Sequence, residues 1–197
     1  MEKLIKSNRI KGILCIITSA CGFAVMSAFI KLSGDLPSFQ KTFFRNLVAA
    51  AIALYLIIKH KGSLVGKKEN RKILVLRSIF GTIGIVCNYY AVDRLVLSDA
   101  NMLNKLSPFL VVIFCALFLK EKINLKQITM VSVAFIGALF IIKPSFNVEV
   151  IPYLVGVLGA VGAALAYTCV RVLGKKEDYY TIVFFFSTFS LIAILPG

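Results

Sequence analysis

Two arginines, Arg45 and Arg77, each stand several residues inside a long apolar run of this chain. A charge at the centre of a bilayer costs about 2.5 to 3.5 kcal/mol on insertion scales, so a guanidinium so placed needs an anion to meet or a headgroup to reach. Both lie within roughly two turns of an end of their runs, so snorkelling or structural pairing stands open beside contact with a negatively charged solute. Arg77, Gly81, Gly84 and Asn88 follow the spacing i, i+4, i+7, i+11 and share one helical face, on which two absent side chains separate two polar ones. Such a face either admits a neighbouring helix, with Asn88 bonded across the contact, or leaves room for a ligand beside the guanidinium. The string SDANMLNKLSP sets Asn101, Asn104 and Lys105 on adjacent turns just before Pro108. Proline there removes a backbone donor and pushes away the carbonyl of Asn104, predicting a free acceptor beside Asn104 and Lys105. Unpaired backbone at membrane depth is tolerated only next to protein or water, so this string lines a cavity or forms a kink satisfied by another helix. Tyr89, Tyr90 and Tyr167 can stack on a ligand or anchor the helices at the interface. The candidate substrate-binding residues are therefore Arg45, Arg77, Asn88, Tyr90, Asn104 and Lys105.

The missing chemistry narrows the choice further. All nine acidic residues fall in loops or at helix ends, so no carboxylate is placed for a proton relay in mid-membrane. Basic groups without buried acids suggest an anionic or zwitterionic solute. His60 stands alone in a basic loop, and Cys15, Cys21, Cys87, Cys115 and Cys169 lie within apolar runs without the spacing of a zinc or disulfide framework. No paired carboxylates, metal cluster or activated nucleophile can be assembled, so neither an enzyme, a metal site nor a cofactor is expected. The string GSLVGKK, Gly62 to Lys68, resembles a phosphate-binding loop but has too few residues between its glycines, lacks a Ser or Thr after the lysine and follows no strand. It reads as a cytoplasmic anchor.

These residues must be positioned by membrane-spanning helices. Of the 197 residues 59% are hydrophobic and only 16% charged, too few polar residues for an aqueous exterior. A span needs about 20 mostly apolar residues, and that length picks out segments near 12–32, 40–58, 72–92, 99–119, 125–142 and 152–173, with a seventh starting near Tyr180. The formal net charge of +14 would suggest nucleic acid in a polar chain, but the basic residues fall in short segments between apolar runs. Sixteen of them, from Lys3–Lys11, Lys59–Lys72, Lys120–Lys126 and Arg171–Lys176, fall on one side of the alternating spans. The positive-inside rule then places the amino terminus in the cytoplasm of a multi-pass inner-membrane protein, with lipid as partner and no nucleic acid. TSAC, Thr18 to Cys21, is a poor lipoprotein box, and the apolar character continues to Leu32, so the first segment reads as an uncleaved helix.

A weak repeat at an offset of 144 residues pairs KGILCIITSACGFAVMSAFIKL from Lys11 with VGVLGAVGAALAYTCVRVLGKK from Val155. The copies begin five spans apart, an odd number, so the second has inverted topology. FFRN at Phe43, LRSIFG at Leu76, NYYAV at Asn88, LSDANMLNKLSPFLVVIFCALFLKEKI from Leu97 and FIGALFIIKPS from Phe135 together resemble the EamA branch of the drug/metabolite transporter superfamily. The resemblance implies an all-α, polytopic bundle of ten helices in two inverted five-helix repeats around a central cavity. On that pattern residues 1–11 form a cytoplasmic segment, 12–142 the first EamA repeat and 152–197 the opening of an inverted second repeat, about seven helices of an expected ten. The implied function is secondary-active or facilitative transport of a small polar metabolite by alternating access, such as an amino-acid or nucleotide-like solute. The chain looks cut short, leaving three readings open: a fragment, a truncated product or an assembly completed by homo-oligomerisation. The alternative function is a non-transporting membrane scaffold or truncated assembly subunit.

Overall fold

The computed structural model describes residues 2–32, 36–120, 124–142, 150–174 and 176–194. Among the described residues helix is the only regular structure. In order these are α1 (Glu2–Leu32), α2 (Ser38–His60), a 3-10 turn (Lys68–Asn70), α3 (Arg71–Arg94), α4 (Leu97–Asn104), α5 (Ser107–Leu119), α6 (Leu125–Ile142), α7 (Val150–Leu173) and α8 (Tyr179–Ile194). Every apolar run expected to span lies within these helices. Phe39–His60, Lys68–Arg94, Leu97–Leu119 and Val150–Leu173 are long and apolar enough to cross a membrane, and Ile10–Met26, Ile128–Gly137 and Tyr179–Ile194 are shorter apolar stretches. The chain is an all-α, multi-pass membrane bundle.

The chain divides into two compact units, Met1–Pro37 and Ser38–Gly197. The first holds α1, whose Thr18 hydroxyl donates to the Leu14 carbonyl at 2.9 Å. Such back-bonding satisfies a hydroxyl where the surrounding solvent is hydrocarbon.

In the second unit α3 is the central helix. It packs most extensively on α7 and also touches α8, α2 and α4, while α2 lies along α8 and both α4 and α5 rest on α7. The burial pattern is that of a protein in lipid. Large apolar residues face outward, with Phe44, Val48, Ile58, Leu117 and Phe118 all at least 59% exposed, whereas the interior holds small or hydroxylated side chains such as Ala53, Ser78, Ala160 and Ala164. Without water to drive helices together, close backbone approach supplies the attraction. The contact of α3 with α7 shows how close. A Cβ on Gly84 would stand 2.8 Å from the Ala163 backbone nitrogen, and one on Gly162 would stand 3.0 Å from the Phe80 carbonyl oxygen.

The two basic loops after α2 and α7 meet at one end of this unit. Glu177 accepts hydrogen bonds from the Lys67 amide at 2.9 Å and from Asn70 Nδ2 at 2.7 Å. Thr181 Oγ1 donates to the Ser63 carbonyl at 2.8 Å, and the His60 ring lies nearly parallel to Tyr180. Gly66 adopts φ +67 beside Leu74 and Glu177, a backbone region that favours glycine. At the opposite end Lys41 pairs with Asp93 at 3.1 Å, and Tyr153 donates to the fully buried Asp99.

One expected span differs. The segment 99–119 is not a single helix but α4 and α5, broken at Lys105 and Leu106. Pro108 is responsible, because it fits only the first turn of a helix, where α5 holds it. The expected free carbonyl of Asn104 is not free: Ser107 Oγ donates to it at 2.8 Å, and the Lys105 amide closes the last turn of α4 on Asn101 and Met102.

Candidate substrate-binding site

Arg77 sits six residues into α3, about 9 Å from its start at 1.5 Å per residue. Its guanidinium carbon lies 3.9 Å from the centroid of the Phe186 ring on α8, a cation–π contact that holds the charge by its flat face. Gly81, one turn further along α3, makes the room. A Cβ there would collide with Arg77 Nη1 and stand 2.8 Å from Phe186 Cε2. Held this way, Arg77 Nε and Nη1 are buried and have no hydrogen-bond partner among the described residues. Thr82 Oγ1 and Tyr89 Oη of α3 and Ser187 Oγ of α8 share that condition. An unsatisfied buried polar group costs about 1 to 3 kcal/mol, more when charged.

A second cation faces the same region. Arg45 of α2 is half-buried and interacts with both Arg77 and Tyr89, although the Tyr89 hydroxyl meets it outside hydrogen-bond geometry. Tyr167 and Cys169 of α7 also lie within electrostatic reach of Arg77. Tyr89 lies about 18 Å beyond Arg77 along the α3 axis at 1.5 Å per residue, so the long side chains of Arg45 and Arg77 approach the centre from different levels. The two like charges repel, and no acid among the described residues within reach of Arg77 relieves this.

The structure thus brings Arg45 and Arg77 into one region and separates the rest. Asn88 is half-buried with its backbone at the α7 crossing, where its amide nitrogen would stand 3.1 Å from a Cβ on Gly159. Tyr90 is half-buried beneath the Arg94 guanidinium, 5.6 Å from its ring centroid. Asn104 and Lys105 are exposed at the break between α4 and α5. Among the described residues no hydrogen bond or ion pair ties these four to the arginines. The face shared by Arg77, Gly81, Gly84 and Asn88 divides its work: Gly84 admits α7, and Gly81 leaves room for the guanidinium itself. Sequence reasoning missed Phe186, Thr82 and Ser187, of which only the hydroxyls left any signal. The amides of Gly66 and Lys67 in the Gly62–Lys68 loop donate to Ser63 Oγ and Glu177, so these two donors are already engaged by the protein.

Candidate membrane spans carrying a buried arginine define a polytopic membrane protein. The chain belongs to the EamA-like transporter family, which matches residues 10–143. It is 33% identical over 187 residues to the pseudopaline exporter CntI of Pseudomonas aeruginosa, covering 94% of this chain and 65% of that protein. It is 27% identical over 188 residues to solute carrier family 35 member G1 of Mus musculus, covering 89% of this chain and 51% of that one. An uncharacterised transporter of Helicobacter pylori is 25% identical over 179 residues, covering 89% of this chain and 60% of its own length. The chain therefore spans about two thirds or less of these relatives. No solved structure gives a significant match.

Proposed function

We propose that this chain belongs to a secondary-active or facilitative carrier that moves a small anionic or zwitterionic metabolite by alternating access. One observation carries the reading: the Arg77 guanidinium is buried on Phe186, with Nε and Nη1 unpartnered and a second cation nearby. A buried, unpaired cation is strongly unfavourable in a structural role, because pairing is what offsets desolvation. An anionic solute that comes and goes supplies the missing partner only when it is bound. Arg45 and Arg77 attract its negative groups in this reading, while Asn88, Tyr90, Asn104 and Lys105 line the route to it.

Many alternating-access carriers are built from two repeats of opposite direction, and the packing of α2 and α8 supports such a pair here. Asn46 Nδ2 donates to Ser190 Oγ at 2.9 Å across a separation of 144 residues, the offset of the sequence repeat. In an inverted pair only residues near the pseudo-two-fold axis meet their own counterparts. The helices also run oppositely, since α2 ends and α8 begins at the same basic end, where His60 meets Tyr180. Residues 12–142 then form one repeat and 152–197 the opening of the second. Convergence of the loops around Lys59–Lys72 and Arg171–Lys176 supports a cytoplasmic location for that end, and with it a cytoplasmic amino terminus in the inner membrane.

The test is exchange by the full-length protein reconstituted in liposomes, with labelled anionic, zwitterionic and cationic solutes offered in turn. An anionic or zwitterionic solute is expected to exchange in wild-type vesicles and to fall about 100-fold with Arg77→Ala, the effect of losing 2 to 3 kcal/mol of charge-assisted hydrogen bonding. Exchange confined to cations, or unchanged by the substitution, overturns the reading. Absence of any flux from folded protein favours the scaffold.

A further inference from the structure

The charges at the polar centre do not balance. Among the described residues, the titratable and charged groups within electrostatic reach of Arg77 are Tyr167, Cys169 and Arg45, none of them an acid. The carboxylates that close contacts elsewhere are committed there: Asp93 to Lys41, Asp99 to Tyr153, and Glu177 to the Lys67 amide and Asn70. A monoanion entering between Arg45 and Arg77 neutralises one cation and leaves the other uncompensated in a medium that solvates charge poorly. A zwitterion compensates no better. Its ammonium meets two guanidinium groups, with no carboxylate among the described groups within reach of Arg77 to receive it.

We infer that the solute held by Arg45 and Arg77 is a dianion carrying no positive charge, an inference that rests on the carrier reading above. Both cations are then compensated, and the buried, unpartnered Nε and Nη1 of Arg77 are donors for the solute's oxygens. Two carboxylates or one phosphate ester supply the same charge.

Four labelled probes separate the possibilities in liposomes containing the full-length protein: succinate, glycerol 3-phosphate, lactate and alanine. Succinate or glycerol 3-phosphate is expected to exchange at least about tenfold faster than lactate and alanine, the factor that one further charge-assisted contact of about 1.4 kcal/mol provides. Which of the two leads tells dicarboxylate from phosphate. Arg45→Gln removes one of the two positive charges and keeps hydrogen-bond donors, so it is expected to shift the preference towards lactate by about the same factor. A merely structural role for Arg45 would lower all four rates together and leave their ratios unchanged. Lactate or alanine exchanging as fast as the dianions, or Arg45→Gln leaving the ratios unmoved, overturns the dianion and leaves the carrier standing. No exchange of any of the four by folded protein overturns both.

Discussion

Gly81 and Gly84 lie three residues apart on α3, yet the space left by the absent side chain is filled by a cation in one case and by backbone in the other. Towards α7, Gly84 lets two helices meet main chain to main chain, next to Gly159 and Gly162. Towards α8, Gly81 lets Arg77 fold over onto Phe186, where its Nε and Nη1 have no partner among the described residues. The first face spends its small residues on dispersion, the dominant attraction between helices in lipid. The second leaves polar groups unsatisfied, an arrangement that a folded protein keeps where a ligand completes it. One face of α3 thus serves backbone packing at Gly84 and a buried cation at Gly81, and substitutions at the two glycines should fail in different ways.

The largest effect is expected from Gly84→Leu. Backbone at Ala163 and Gly159 cannot yield as a flexible side chain can, so the helices must part. Overpacking of a tight contact costs about 1 to 3 kcal/mol even for small insertions, and a leucine exceeds that range. Loss of a monodisperse peak in size-exclusion chromatography of the full-length protein in detergent checks it. Gly81→Ala is the sharper comparison. Its new methyl meets only the movable ends of Arg77 and Phe186, so the melting temperature should change little while exchange falls about tenfold, as a displaced charge loses roughly one good hydrogen bond. Smaller still is Glu177→Gln, remote from both faces. The amide oxygen still accepts from Lys67 and Asn70, and only the charge assistance is lost, about 1 kcal/mol, visible as a modest fall in melting temperature.

Much of this arrangement is legible in the residues. The bilayer selects runs of about 20 apolar residues, so all seven segments can be located from sequence without knowledge of their partners. Arg45 and Arg77 announce themselves because charge inside such runs is expensive. The partners are harder to see. The spacing of Gly81 and Gly84 defines a face but not what covers it, which is α7 at Gly84 and the Arg77 side chain at Gly81. Phe186, within FFFSTFS, is indistinguishable in sequence from a lipid-facing aromatic. Thr82 and Ser187 are masked by the usual behaviour of membrane hydroxyls, which bond to their own helix as Ser78 does to Leu74 and Thr168 to Ala164, both at 2.8 Å. Pro108 foretells a disturbance near Asn104, but whether the freed carbonyl stays open depends on the Ser107 rotamer, which sequence does not specify.

The central claim is that Arg77 is held unpaired for a solute and not for the fold. Its most direct test is the melting temperature of full-length Arg77→Leu in detergent without added solute, measured beside the wild type. Removing a buried cation that has no partner should leave that temperature equal or raise it, even as exchange in liposomes disappears. A fall approaching that of Gly84→Leu would show that the guanidinium holds α3 to α8 as a structural strut, and would contradict the account.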